Sequence, residues 1–440
     1  MNKQKWQSLL AVLLFLFVLV GLPVLSHNIL SKKGNDSVPR IRLFLANTTL
    51  EAIHGGDKKQ VYDGNNAIII DNNGSTTLSD VGIRGHGNST LTLDKRSYQL
   101  KLKRRTALLG MEASRKWVLL ADSFDTTLLR NDLAFYIERM IGEKWALDGR
   151  FTNLSIDNQD LGLYYMTPKV EVSKSSVNLV DDYGVLVEME NLHAANETCY
   201  FSKDGNCLVI RDSVNKDKSD EAMKNFVADF DKLLVAAEKK EFDKVEELID
   251  VNSFAQYFLI SEFTVNPDAY TTSAFFYKDG LEDKLHAGPG WDFDFAFGNR
   301  RWYWDVNLDF HSPNYDLRRR VDVFGGAYHD EKTGGVVEVP GDKNTSKLFY
   351  YLIDIPEFKQ TVDQLFQKTM SGKCDEIIEY INRQRSYIHD AAVYDSKLWG
   401  VTDLDEETDY LVDWIRKRYE HFELKYGEWH LQPWDKAFVL

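Results

Sequence analysis

Two aspartates one residue apart, Asp292 and Asp294, stand in the segment GPGWDFDFAFGN, with aromatic residues on both sides. Carboxylates are rarely buried without a partner. If the segment is extended, both carboxylates project from one face, and Trp291, Phe293 and Phe295 from the other. Two carboxylates beside a dry wall suit Mg²⁺, which takes oxygen ligands. Gly288, Gly290 and Gly298 let the backbone bend around a ligand. Two other readings stand beside the metal. The pair is an acidic strand face neutralised by Arg300 and Arg301, or it belongs to a glycosidase. The latter needs two carboxyl groups facing each other across a cleft, roughly 5–10 Å apart, which neighbours on one strand do not make by themselves.

Two further segments carry residue types suited to chemistry. IRGHGNST, Ile83–Thr90, places glycines and small polar residues between strands, so that backbone N–H groups can approach an anion. Lys101 on the following strand can reach the same anion. The segment is neither a Walker loop nor a dinucleotide fingerprint, and a plain β-turn is the competing reading. In FTVNPDAYTTSAFFYKDG, Asp268 follows a helix end, with Asn266, Thr271 and Thr272 close by. A polar loop between apolar elements often carries function; an Asx turn closing the helix is the alternative.

These residues need a scaffold, and the chain is long enough for one. It has 440 residues, 43% apolar and 28% charged, the composition of a folded protein. Its formal charge of −15 argues against nucleic acid as a partner. RIRLFLA, NAIIIDN, GIRGHGN and RSYQLKLKR read as strands, the last with Tyr98, Leu100 and Leu102 on one face. TTLLRNDLAFYIERMIG reads as a helix ended by Gly142. FTNLSIDNQDLGLYYMTPKVEV is a hairpin and YGVLVEMEN a strand. From Ser219 the pattern becomes helical: one helix over 219–250, a second capped by Asn252 or Ser253, then a strand pair SAFFYKDG and KLHAGPGWDF, then helices from about Ser346 to Trp434. The fold class is α+β, with a strand-rich half over about 40–215, a helix-rich half over about 216–435, and a cleft between them as the natural site.

The N-terminus has Lys3 and Lys5 ahead of Leu9–Leu25, 17 residues without a charge. As a helix this reaches roughly 26 Å, which fits an uncleaved membrane anchor or a signal peptide over residues 1–26, followed by a polar linker over 27–39. Cys199 and Cys207 flank a hairpin with an Asp204–Gly205 turn and form either a disulfide or two free thiols; Cys374 is left over.

With these segments in order, the sequence resembles the CotH family, the spore coat protein H-like atypical protein kinases. The resemblance rests on IRGHGNST, KRSYQLKL, LLGMEASRKWVLLADSFDTTLLRNDLAF, DLGLYYMTPKVEV, GVLVEMEN, GPGWDFDFAFGN and KLFYYLIDIPEFKQ, and spans about residues 40–425. It implies a kinase-like fold of two lobes with ATP between them. It implies that Asn88 and Ser89 cover the phosphates, that Lys101 pairs with them, and that Asp292 binds Mg²⁺ (or Mn²⁺) with Asp294 beside it. Asp268 matches the catalytic base. The roles suit phosphoryl transfer, which needs positioning, charge neutralisation and a base aimed at the acceptor hydroxyl. Glu138, Glu171 or Glu188 would pair with the lysine. Pro168 stands where the resemblance implies an acidic residue, which alters a hinge-like contact to adenine.

The expectation is an exported kinase, membrane-anchored through its N-terminal helix or secreted, that transfers the ATP γ-phosphate to Ser/Thr of extracytoplasmic or coat proteins. The alternative is a catalytically inactive surface adhesion or coat-assembly module of the same fold.

Overall fold

The computed structural model describes residues 38–266, 268–299, 327–330, 335–338 and 346–427. Leu9–Leu25, Arg300, Arg301 and Trp434 lie outside the described residues. The described residues from Pro39 onward belong to one compact unit. Among the described residues no helix is long and apolar enough to cross a membrane.

The strand-rich half builds a closed barrel rather than an open sheet. Its strands are β1 (Arg40–Phe44), β2 (Tyr62–Asp71), β3 (Gly74–His86), β4 (Ser97–Thr106), β5 (Ser114–Leu120), β6 (Arg150–Ile156) and β7 (Gln159–Pro168). They close in the order β1-β2-β3-β4-β5-β7-β6, with β1 parallel to β6 and the other pairs antiparallel. Alternation decides what fills the barrel: Tyr98, Leu100 and Leu102 of β4 point inward, beside Ile83, Trp117 and Leu119. Asp157 and Asn158, both at positive φ, make the β6–β7 turn. A short helix, α1 (Leu50–Gly55), contacts β3 and adds Ile53 to the barrel core, and α2 (Arg130–Ile141) ends on Gly142 at φ 82, the left-handed cap glycine supplies.

A second sheet runs in the order β12-β11-β8-β10-β9. Its members are β8 (Gly184–Met189), β9 (Tyr200–Phe201), β10 (Cys207–Ser213), β11 (Ala274–Asp279) and β12 (His286–Ala287). It therefore joins strands from both sides of the composition change near residue 216. Cys199 and Cys207 form a disulfide at the β9–β10 hairpin, and Cys374 is free.

The helical part starts with α3 (Ser219–Glu238) and α4 (Phe242–Leu248). The single helix expected over this stretch breaks where Lys240 adopts φ 57. The next helix, α5 (Val251–Thr264), is capped by Asp250, whose side chain accepts from Ser253 N at 2.7 Å; the expected caps Asn252 and Ser253 lie inside it. All but two of its residues are buried, as befits a helix apolar all round. A small strand pair, β13 (Ala327–Asp330) with β14 (Gly335–Glu338), precedes α6 (Leu348–Ile353), α7 (Pro356–Thr369), α8 (Cys374–Trp399) and α9 (Leu404–Gly427).

Buried polar contacts fasten the barrel to the helices. Asp132 of α2 accepts from Tyr165 Oη of β7 at 2.9 Å and from Tyr380 Oη of α8 at 2.8 Å. Lys95 and Asp395 pair at 2.9 Å, each side chain only 5% exposed, and Asp395 also accepts from Leu163 N of β7. Removing one partner of a buried pair leaves the other charge uncompensated. Asp395→Ala is therefore expected to lower unfolding free energy by about 3 kcal/mol or more, read from urea denaturation midpoints. Lys95→Met in the same chain should restore part of that loss, because it removes the stranded ammonium.

Candidate functional site

A cavity of about 690 Å³ opens between the barrel mouth and the second sheet, within the usual range for small-molecule sites. On the barrel side its wall comes from the end of β3 and the turn that follows. Arg84 and His86 alternate on one face of β3, and Asn88 and Ser89 follow in the turn. Gly87 sits at φ +94, and a Cβ there would lie 2.3 Å from Thr90 Oγ1, so this tight turn needs glycine. Asn88 Oδ1 accepts from Lys58 Nζ at 2.6 Å, and both residues line the cavity.

The opposite wall is the aspartate segment. β12 stops at Ala287 instead of running on to Phe293. Gly288 turns at φ +108, and Pro289 has no N–H to give a ladder. Gly290 N donates to Glu138 Oε1 at 2.7 Å, and Phe293 N donates to Asn131 Oδ1 at 2.9 Å. The same Asn131 donates through Nδ2 to Asp122 Oδ1 at 2.8 Å. Asp292 takes φ 65. The segment is thus a looped chain, not a strand. Phe293 alone turns into the core, while Trp291 and Phe295 join Asp292 and Asp294 in the cavity wall. The two carboxylates still lie near enough for their charges to act on each other.

Burial dominates their electrostatics. It raises the Asp292 carboxyl above its ordinary value against the opposing hydrogen bond from Ser273 Oγ at 3.2 Å. It raises Asp294 much further, helped by the charges of Asp292, Asp268, Asp122 and Asp125. Asp294 is 6% exposed, and its Oδ1 has no hydrogen-bond partner. Such an oxygen is costly unless something cationic or protic meets it. A divalent cation fits that need, and Mg²⁺ is usually held by one or two carboxylates plus substrate phosphates. Among the described residues no group of three or more His, Cys, Asp or Glu side chains is arranged to hold a metal. The Asp292–Asp294 pair is the donor set on which the fit rests.

Asp268 reaches the cavity from the loop after α5. Asn266 Oδ1 accepts from Asp268 N at 3.1 Å, and Asp268 O accepts from Thr271 N and Thr272 N, both at 2.9 Å. The Asx turn and the functional reading coincide, because the turn fixes the backbone while the side chain lines the cavity.

Lys101 is placed differently from what the resemblance implies. It lies opposite Gly82 and Lys116, half-buried, and is not part of the cavity wall. Ser97 at the start of β4 does line the wall, and four residues of strand carry Lys101 about 13 Å further along. The cations that face the cavity include Arg84 and Lys169. Arg84 is held by Gln99 Oε1 and Lys58 O, both at 2.8 Å, and burial lowers the Lys169 pKa. Among the described residues no glutamate pairs with Lys101. Glu171 pairs with Lys116 at 2.6 Å, Glu188 pairs with Arg211, and Glu138 accepts from Gly290 N. Arg84 could have been read from the alternation of GIRGHGN, which puts it on the face of His86. Lys169, Glu190, His193 and Arg211 depend on how the two sheets meet, and no spacing in the sequence announces them.

A family model described as CotH kinase protein matches residues 83–422, most of the chain. The chain belongs to the CotH kinase family. No curated protein matches it. The CotH match begins at Ile83, where IRGHGNST begins, and contains the whole cavity wall except Lys58 and Lys59.

Two buried glutamates stand behind the aspartate loop. Burial, with the nearby Glu143 charge, pushes Glu138 from 4.5 to about 8. Burial pushes Glu143 to about 7, with Asp250 adding to it. Carboxyls whose folded pKa is raised stabilise the fold fully below the unfolded value and lose that contribution as pH rises through the folded one. Stability should therefore decline from about pH 5 to about pH 8.5. In Glu138→Gln the decline should be shallower, since the amide oxygen still accepts from Gly290 N. Urea midpoints across that range measure both.

Proposed function

We propose that this CotH family member is an ATP- and Mg²⁺-dependent kinase with a kinase-like division into a barrel lobe and a helical lobe. It transfers the γ-phosphate to Ser or Thr of extracytoplasmic or coat proteins, and its N-terminal segment exports it or anchors it to a membrane. The observation that carries the reading is the convergence on one cavity of Asp268, Asp292 and Asp294 with Asn88, Ser89, Arg84 and Lys169 of the barrel side.

Each residue has a role that its surroundings favour. Asp292 and Asp294 would hold Mg²⁺ (or Mn²⁺), which when bound neutralises the phosphates and charge that develops on them. Arg84 and Lys169 take the phosphate-pairing role in place of Lys101, because they face the cavity and Lys101 does not. Asn88 and Ser89 sit in the glycine turn that would cover the phosphates. Asp268, on the loop across from that turn, accepts the proton of the acceptor hydroxyl.

Transfer of labelled phosphate from ATP to a Ser-rich peptide tests the reading. Asp292→Ala and Asp268→Ala should each lower the rate by about 100-fold or more. Arg84→Ala should weaken ATP binding, and Lys101→Ala should leave the rate within a few-fold of the parent. Absence of both nucleotide binding by calorimetry and transfer would favour the non-catalytic adhesion or coat-assembly module instead.

A further inference from the structure

His193 stands in the cavity wall, and the kinase roles assigned above do not use it. It follows β8, in the segment that leads to Cys199 and its disulfide with Cys207. Its Nδ1 lies 3.0 Å from Glu190 Oε1, and its side chain is 31% exposed. An ionised carboxylate only accepts, so Nδ1 carries the proton in that bond and Nε2 is left with the lone pair. Glu190 is itself fixed, with a side chain 3% exposed. Thr272 Oγ1 donates to its Oε1, and Arg211 lies 3.6 Å from its Oε2. This is the arrangement of an oriented imidazole: a buried carboxylate sets tautomer and ring plane, and the second nitrogen is free to exchange a proton.

The loop is also tied to the loop that carries Asp268. Asn191 N donates to Thr271 O at 2.8 Å, and Thr272 is the residue that meets Glu190. His193 and Asp268 thus line one cavity from two loops joined at both ends of that contact, and their charges interact.

We propose that His193, oriented by Glu190, is a positioning and proton-relay residue that takes the acceptor's proton onward from Asp268. The inference rests on the kinase reading. In the step, the acceptor hydroxyl oxygen bonds to the γ-phosphorus, and the bridging oxygen between β- and γ-phosphorus leaves with its electron pair on ADP. The hydroxyl proton passes to the Asp268 carboxylate and from there to His193 Nε2. The products are ADP, the phosphoester and an imidazolium, which returns the proton to water through its exposed edge.

The groups around the imidazole fix the pH dependence. The hydrogen bond to Glu190 raises the His193 pKa, partial burial opposes it, the charges of Glu190 and Asp268 raise it, and Lys58 opposes it; the Asp292 carboxyl also interacts with the ring. On Glu190 itself, burial is outweighed by the bonds from His193 and Thr272, which hold it below its ordinary value and keep it an acceptor. The relay works with neutral imidazole, so the rate should rise with pH through the His193 pKa.

The test is the pH profile of kcat for phosphate transfer from ATP, measured for the full chain and for His193→Gln. The parent should show an acidic limb whose midpoint equals the His193 pKa measured by NMR of the ring protons with nucleotide bound, since kcat reports groups of the enzyme–substrate complex. In His193→Gln the rate near neutral pH should fall about tenfold or more, the limb should move to lower pH by about one unit or more, and KM for ATP should be unchanged. Glu190→Gln should lower the NMR pKa and the kinetic midpoint together. A His193→Gln profile that keeps the parent's midpoint overturns the relay, whatever its height, because a merely structural histidine changes rate without moving the limb. A parent that transfers no phosphate while His193 titrates normally overturns the kinase reading instead.

Discussion

The buried, unmatched oxygen of Asp294 is the constraint around which the cavity is organised. A carboxylate in that position, with Asp292, Asp268, Asp122 and Asp125 contributing negative charge, is tolerable only if it is protonated or meets a cation. The surrounding contacts keep that demand from dissipating. Asn131 clamps Phe293 N on one side and Asp122 on the other, and Asn299 Nδ2 donates to Asp294 O and Phe124 O at 2.6 and 2.7 Å. The loop cannot turn its carboxylates out to water without giving up those bonds and the packing of Phe293 on Phe135.

The stretch from Asp122 to Asn131 is consequently as much a part of the site as the aspartates. Arg130 is fully buried, pairs with Asp125 and donates through Nε to Ala296 O at 3.0 Å. Asp125 Oδ2 accepts from Arg130 N, closing the start of α2. The helix that carries Asn131 and Arg130 also carries Asp132, which bonds to the barrel and to α8. One helix start thus registers the barrel, the helical half and the acidic loop against one another.

Much of this was legible in the sequence, and the reasons for the exceptions are physical. The alternation of Tyr98, Leu100 and Leu102 survives because a barrel has one inner face. Asp268, Asp292, Asp294, Asn88 and Ser89 do come to a single cavity. The extended form of GPGWDFDFAF does not survive, because backbone contacts to Glu138 and Asn131, residues about 150 positions away, override local pattern. The resemblance implies a phosphate role for Lys101 as a strand lysine, but position along a strand depends on where the strand enters the cavity. Barrel closure was not visible either, since the β1–β6 pairing joins residues more than 100 positions apart and leaves no local mark.

The sheet β12-β11-β8-β10-β9 gives the composition change near residue 216 a different meaning. β8 pairs with β11 from Met189–Ala274 to Gly184–Asp279, so the boundary read from residue types runs through a continuous hydrogen-bond ladder. A polypeptide ending there would present β8 as an open edge with a buried apolar face, a template for pairing with other chains. The two halves are therefore textures of one folding unit rather than separable modules.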